Sequence, residues 1–119
     1  MTRISLRLGA AMVLAAALTG CAQQQSLYSW NSYPDHVYTY LKHEASPEQQ
    51  VLDMEASIQK AKAAQRALPP GYYAHLGLMY MNSGRNAQAV QAWEQEKQLF
   101  PESTAYIDYL LANLKKNQS

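Results

Sequence analysis

Only one cysteine, Cys21, occurs in the 119 residues. That excludes a disulfide within the chain and any zinc or iron–sulfur site built from several thiolates. Charge of either sign is scarce, with 10 Lys plus Arg against 9 Asp plus Glu and a formal net charge of +1. No Lys/Arg cluster stands out, so the electrostatic footprint of nucleic-acid binding is missing and nucleic acid is not an expected partner. Long apolar runs are missing too. The longest, Leu8 to Leu18, has 11 residues. At 1.5 Å per residue it makes about 16 Å of helix, roughly half of a bilayer core of about 30 Å. Neither a Gly-rich phosphate loop nor a Gly-x-Ser-x-Gly turn is present. The length allows one small domain.

What is there begins with a leader. Arg3 and Arg7 precede the apolar run, and the small residues Thr19 and Gly20 follow it. This order is that of a secretory signal core and not of a membrane-spanning anchor. Without residues 1–20, 99 residues remain with 8 basic and 9 acidic side chains, a net −1. Leu18-Thr19-Gly20-Cys21 resembles the bacterial lipobox, in which Leu and two small residues precede a Cys. The chemistry suits the residue types. The Cys21 thiol can form a thioether to diacylglycerol, and slim residues before it let the backbone enter a membrane-embedded peptidase. Cleavage would free the Cys21 amine for a further acyl chain. Several chains anchor firmly because each buried CH₂ contributes about 0.8 kcal/mol, whereas one chain alone is marginal. The resemblance implies membrane attachment through palmitate-type acyl chains on Cys21. Ala22, where an Asp would signal retention, implies the periplasmic face of the outer membrane.

Residues 21–26 then read as lipidated Cys and tether, since Ala22 to Ser26 is polar and lacks periodicity. Five residues span at most about 18 Å, so whatever folds after Leu27 stays close to the bilayer. Residues 27–45 are rich in Tyr and Trp. Two arrangements are open: rings at the lipid headgroup level, or rings packed on a helical body. The need of so small a domain for large apolar groups favours packing. In that case Pro34 and Asp35 open a short helix with Val37, Tyr40 and Leu41 as its apolar face.

From residue 46 onward the pattern is helical and no window reads as a strand. Ser46-Pro47-Glu48-Gln49 is a helix start, with Ser as N-cap, Pro in the first turn and Gln three positions on. Val51, Met54, Ile58, Ala61, Gln65 and Leu68 form a stripe at spacings of three and four, which Pro69-Pro70-Gly71 ends. Tyr73, Leu76, Gly77 and Tyr80 share the face of a second helix. Ser83 to Asn86 turns the chain. Ala89, Val90, Trp93 and Phe100 line a third helix, closed by Pro101. Ile107, Leu110, Leu111 and Leu114 line a fourth.

Residues 70–103 resemble one tetratricopeptide repeat, a helix–turn–helix unit of about 34 residues. The repeat's landmarks fall at Tyr73, Leu76-Gly77, Tyr80, Gly84, Ala89, Trp93 and Pro101. Glu96 departs from it, standing where a small residue is usual. Gly77 and Ala89 lack bulk where antiparallel helices approach closely, and the aromatic rings fill the space around them. The segment Leu27-Tyr28-x-Trp30-x-x-Tyr33, with Tyr38-x-Tyr40-Leu41 and Pro69-Pro70-Gly71-Tyr72-Tyr73 beyond it, resembles a second family. This is an uncharacterised family of small proteobacterial lipoproteins, known as domain of unknown function 4810. That resemblance implies no activity. It does imply a genomic neighbourhood shared with lipoproteins like the curli-secretion channel component, and so an envelope partner of that kind.

The expected fold is all-α: a small tetratricopeptide-like helical hairpin array over residues 46–116, after a signal peptide at 1–20 and a short tether. No nucleophile–base pair or carboxylate pair is apparent. His36 and His43, seven apart, lack the one-turn spacing of a metal pair and read as half-exposed helix residues. His75 reads as a packing or surface residue. No enzyme activity, cofactor or metal is therefore expected. Repeats of this kind bind proteins on the face of their first helices. The matching positions are Ala74, Leu78, Met81 and Asn82, continued by Asp108 and Ala112, a mostly apolar set suited to adaptable contact. The alternative for that set is packing against another helix of the same chain. The expected role is an interaction module in an envelope assembly, with a pilotin-like chaperone for an outer-membrane pore subunit as the alternative.

Overall fold

The computed structural model describes residues 2–18 and 26–118. Six α-helices follow in order: α1 Thr2–Leu18, α2 Tyr33–Lys42, α3 Pro47–Ala63, α4 Tyr72–Asn82, α5 Asn86–Leu99 and α6 Thr104–Gln118. A single 3₁₀ turn, Pro101–Ser103, joins α5 to α6. No strand occurs among the described residues; one isolated bridge pairs Tyr28 with Ala67. The fold is all-α, a helical hairpin array. No described helix is long and apolar enough to cross a membrane.

Local chemistry sets the boundaries. Ser46 caps α3 by accepting a hydrogen bond from the Gln49 backbone N–H at 3.2 Å, with Pro47 in the first turn. This satisfies one of the donors that a helix start leaves unpaired. Helix α3 ends earlier than its apolar stripe suggested. The helix stops at Ala63, and Gln65 takes a left-handed φ of 53° and points to solvent. Leu68 is still buried, but through an extended segment. That segment is held from outside: Ala67 accepts the Ser29 N–H, and Arg66 donates to the carbonyls of Ser26 and Tyr28. The long-range pairing replaces the last turns of helix.

The core is the α4–α5 hairpin closed by α3 on one side and α6 on the other. Trp93 is fully buried and its indole N–H donates to the Ala74 carbonyl at 3.0 Å. It lies so close over Gly77 that a Cβ built there would come within 2.1 Å of Nε1. Val51, Met54, Leu76, Met79, Ala89 and Ile107 complete the interior. Val90, expected inside, is more than a third exposed. Leu110 and Leu111 pack only partly on the core, while Ile107 and Leu114 are buried.

The aromatic segment packs on this body. Tyr28 meets Phe100 edge to face at 6.2 Å, and Tyr33 meets Tyr72 at 5.3 Å. Tyr40 meets the His75 ring, also at 5.3 Å. The inward face of α2 is thus Tyr33, His36 and Tyr40. Leu41, expected on that face, is 68% exposed. The inward side is taken instead by the Tyr33 and Tyr40 rings and by His36, whose Nε2 sits 3.1 Å from Ser32 Oγ and 3.3 Å from Ser57 Oγ.

Candidate docking groove

A groove of about 750 Å³ lies between α3 and α5, floored by α4. Tyr73, Leu76 and Tyr80 line it from α4, between α3 and α5. Ile58 and Ala92 complete an apolar floor. The α5 rim is polar, with Gln88, Gln91 and Gln95, while the α3 rim is mixed, with Leu52, Glu55 and Ala56 beside Gln59 and Lys62. A second recess of about 390 Å³ continues the groove past Lys62 and Gln95 toward Tyr28, Leu99 and Phe100.

The rim groups are chemically uncommitted. None of the four glutamine amides, nor the Lys62 ammonium, has a hydrogen-bond or ion-pair partner among the described residues. A glutamine amide both donates and accepts, so it can pair with the backbone of an incoming chain. Charge is uneven along the groove. Glu55 accepts the Tyr80 hydroxyl at 2.6 Å and lies 3.9 Å from Arg85, so its charge is partly answered. Arg66 is occupied by backbone carbonyls. Among the described residues of the rim, Lys62 is the cation without an ion-pair partner. Burial first, then the hydrogen bond to Glu55 and its charge, push the Tyr80 hydroxyl up to about 12. Burial and the Glu96 charge raise Tyr73 as well. Both phenols therefore remain protonated donors at neutral pH.

Glu96, the departure from the repeat pattern, holds the neighbouring corner. It is fully buried and accepts the Gly71 N–H at 2.6 Å and the Ser103 hydroxyl at 3.3 Å. Gly71 precedes α4 with φ +90°, a conformation that favours glycine. The carboxylate thus ties the start of α4 to the turn after α5, which a small residue could not do. Its Oε2 is buried without a partner.

The residues expected to bind a partner do not form this groove. Ala74 is 6% exposed and its carbonyl is taken by Trp93. Leu78 and Met81 lie half-buried against the core, and Asn82 is exposed. The contact surface is reduced because the same core that buries Trp93 claims Ala74 and most of Leu78 and Met81. Asp108 is engaged by Lys97 at 2.7 Å, and Ala112 is exposed. Of the histidines, His36 and His75 are buried and only His43 is exposed, contrary to the expectation for His36. Among the described residues no group of three or more His, Cys, Asp or Glu is placed to hold a metal ion. Leu18 ends α1, while Thr19, Gly20 and Cys21 lie outside the described residues.

The family described as Domain of unknown function (DUF4810) matches residues 27–110. The chain belongs to this family. The matched span covers the aromatic segment, the hairpin and the groove together. No curated protein and no solved structure matches the chain.

Proposed function

We propose that this DUF4810 chain is an outer-membrane lipoprotein whose periplasmic helical body docks a partner protein in an envelope assembly. The observation that carries the docking role is the groove between α3 and α5, with its apolar floor, four uncommitted amides and the free Lys62. Apolar contact supplies affinity, amides engage backbone, and Lys62 favours a carboxylate on the partner. The anchor half rests on Leu18-Thr19-Gly20-Cys21 and on Ala22. A tetratricopeptide-like hairpin suits the role, because such units present surfaces and carry no chemistry of their own. The genomic neighbourhood implied by the family resemblance makes a curli-channel-like lipoprotein the first partner to examine. The reading involves no catalytic step, metal or cofactor.

Metabolic labelling with palmitate, followed by separation of inner and outer membranes, tests the anchor. Label on the wild-type chain in the outer membrane, lost in Cys21→Ser, is the expected result; an unlabelled chain refutes it. The pilotin-like alternative differs in outcome. Deletion would leave the pore subunit outside the outer membrane in that case, whereas loss of an assembly module leaves it inserted but unassembled.

A further inference from the structure

The groove and core leave several large apolar side chains exposed, and one group of them lies next to the anchor. Leu52, Leu99, Tyr106 and Tyr109 are exposed on α3, α5 and α6, and in the segment just after the tether Leu27 is 78% exposed, Trp30 46%, Tyr38 55% and Leu41 68%. On α2, Pro34, Tyr38 and Leu41 recur at i, i+4 and i+7, which places them on one stripe. That stripe is separate from the inward one of Tyr33, His36 and Tyr40, whose rings and imidazole meet the body. Helix α2 therefore has two apolar faces, and only one is covered by protein. Core packing explains the first.

We infer that the outer stripe of α2, together with Leu27 and Trp30, rests in the headgroup region of the bilayer that holds the chain. This rests on the anchoring half of the proposed function. The reach of the chain says why the occupant is lipid. Cys21 and Leu27 are separated by six residue steps, at most about 22 Å when fully extended. A body tied that closely meets the membrane before it meets anything else. The residue types fit the interface as well. Trp and Tyr combine an apolar ring with a polar tip and settle at the boundary between headgroup and acyl chain. The Lys42 ammonium lies 5.7 Å from the centre of the Tyr38 ring, where it can reach phosphate while the ring faces the acyl region. Asp35 and Glu44 are exposed on the same segment and outnumber Lys42, leaving it a net −1. The contact is thus driven by apolar and aromatic groups and not by a basic patch. Anchoring at a second point would fix the body's orientation on the membrane, which one flexible tether cannot do.

Trp30 and Trp93 are the only tryptophans, and Trp93 is fully buried, so fluorescence reads the inference directly. The full mature chain, purified from membranes, is reconstituted into vesicles of phosphatidylethanolamine and phosphatidylglycerol with or without brominated acyl chains. The expected result is loss of emission in brominated vesicles, absent in Trp30→Phe and reduced in the Tyr38→Ser/Leu41→Ser double variant. All three positions are exposed, so circular dichroism of the variants should match the parent. Equal emission in both kinds of vesicle overturns the inference. The mass of the peptide containing Cys21 reports lipidation separately. A lipidated chain with unquenched Trp30 therefore sinks this inference and leaves the anchor standing. An unlipidated chain without quenching sinks both, and quenching without lipid supports the stripe alone.

Discussion

Replacing Gly77 with alanine should destabilise the domain, although in most helix interiors the same change is favourable. A Cβ at this position would lie 2.1 Å from Trp93 Nε1, 2.3 Å from Cδ1 and 2.8 Å from Cε2. Ordinary carbon contacts fall at about 3.5–4.0 Å, so the indole must retreat by more than an ångström inside a filled core. Overpacking of this kind costs about 1–3 kcal/mol. The retreat also breaks the Nε1–H bond to the Ala74 carbonyl, and a buried donor left unpaired costs about 1–3 kcal/mol. Alanine returns about 1 kcal/mol through its higher helix propensity. The net expectation is a loss of about 3 kcal/mol, a large part of the roughly 5–15 kcal/mol that holds a domain together. Urea unfolding of the full chain, followed by far-ultraviolet circular dichroism, measures it. Trp93→Phe supplies the second arm of a double-mutant cycle. Gly77→Ala should cost much less in that background, where the smaller ring leaves room. A neutral or stabilising Gly77→Ala, or strict additivity with Trp93→Phe, refutes the close-approach argument.

Other changes have expected outcomes with different causes. Glu96→Ala removes the acceptor of Gly71 N–H and Ser103 Oγ and should cost about 2–4 kcal/mol in the same unfolding assay. Glu96→Gln keeps that acceptor and should stay within about 1 kcal/mol of the parent; equal losses for both would show that the charge itself matters. Burial first, then the charge of His36, push His75 down from 6.5 to about 4, and burial also lowers His36. The folded chain keeps His75 neutral while the unfolded chain takes up a proton, so stability is full above about pH 6.5 and declines toward pH 4. The His75 share of that loss is at most about 3 kcal/mol. Urea midpoints at pH 7.5 and pH 5 test this, and His75→Gln should flatten the difference; a flat parent profile refutes it. Ser46→Ala removes the cap at the start of α3 and should cost about 1 kcal/mol by the same assay.

Local signals in the sequence anticipated the parts of the fold that local chemistry decides. The Ser46–Pro47 start of α3, the turn at Gly84 and the pairing of small Gly77 and Ala89 with large Trp93 all rest on neighbours within one hairpin. Residues set by distant partners were not legible. Helix α3 stops at Ala63 because Ser29 and Arg66 bind across the chain to the segments at 67 and 26–28, and no spacing within α3 encodes that. His36 is buried with Ser57 opposite it on α3, and Leu41 is exposed because the Tyr33 and Tyr40 rings take the inward side. Glu96 read as a mismatch in a repeat and is in fact the bond between two loops. The groove was missed for a related reason. Gln88, Gln91 and Gln95 recur at i, i+3 and i+7, which in sequence looks like any solvated face. Only the facing Gln59 and Lys62 of α3 turn that stripe into a rim.

Docking in the groove is tested most directly in living cells. A photoreactive residue replaces Gln91 in one full chain and Asn82 in another, each expressed in its own host and irradiated. Groove docking gives a single defined protein adduct from position 91 that Lys62→Glu abolishes and Cys21→Ser displaces from the outer membrane. An adduct from position 82 with none from 91, or one indifferent to Lys62, contradicts it.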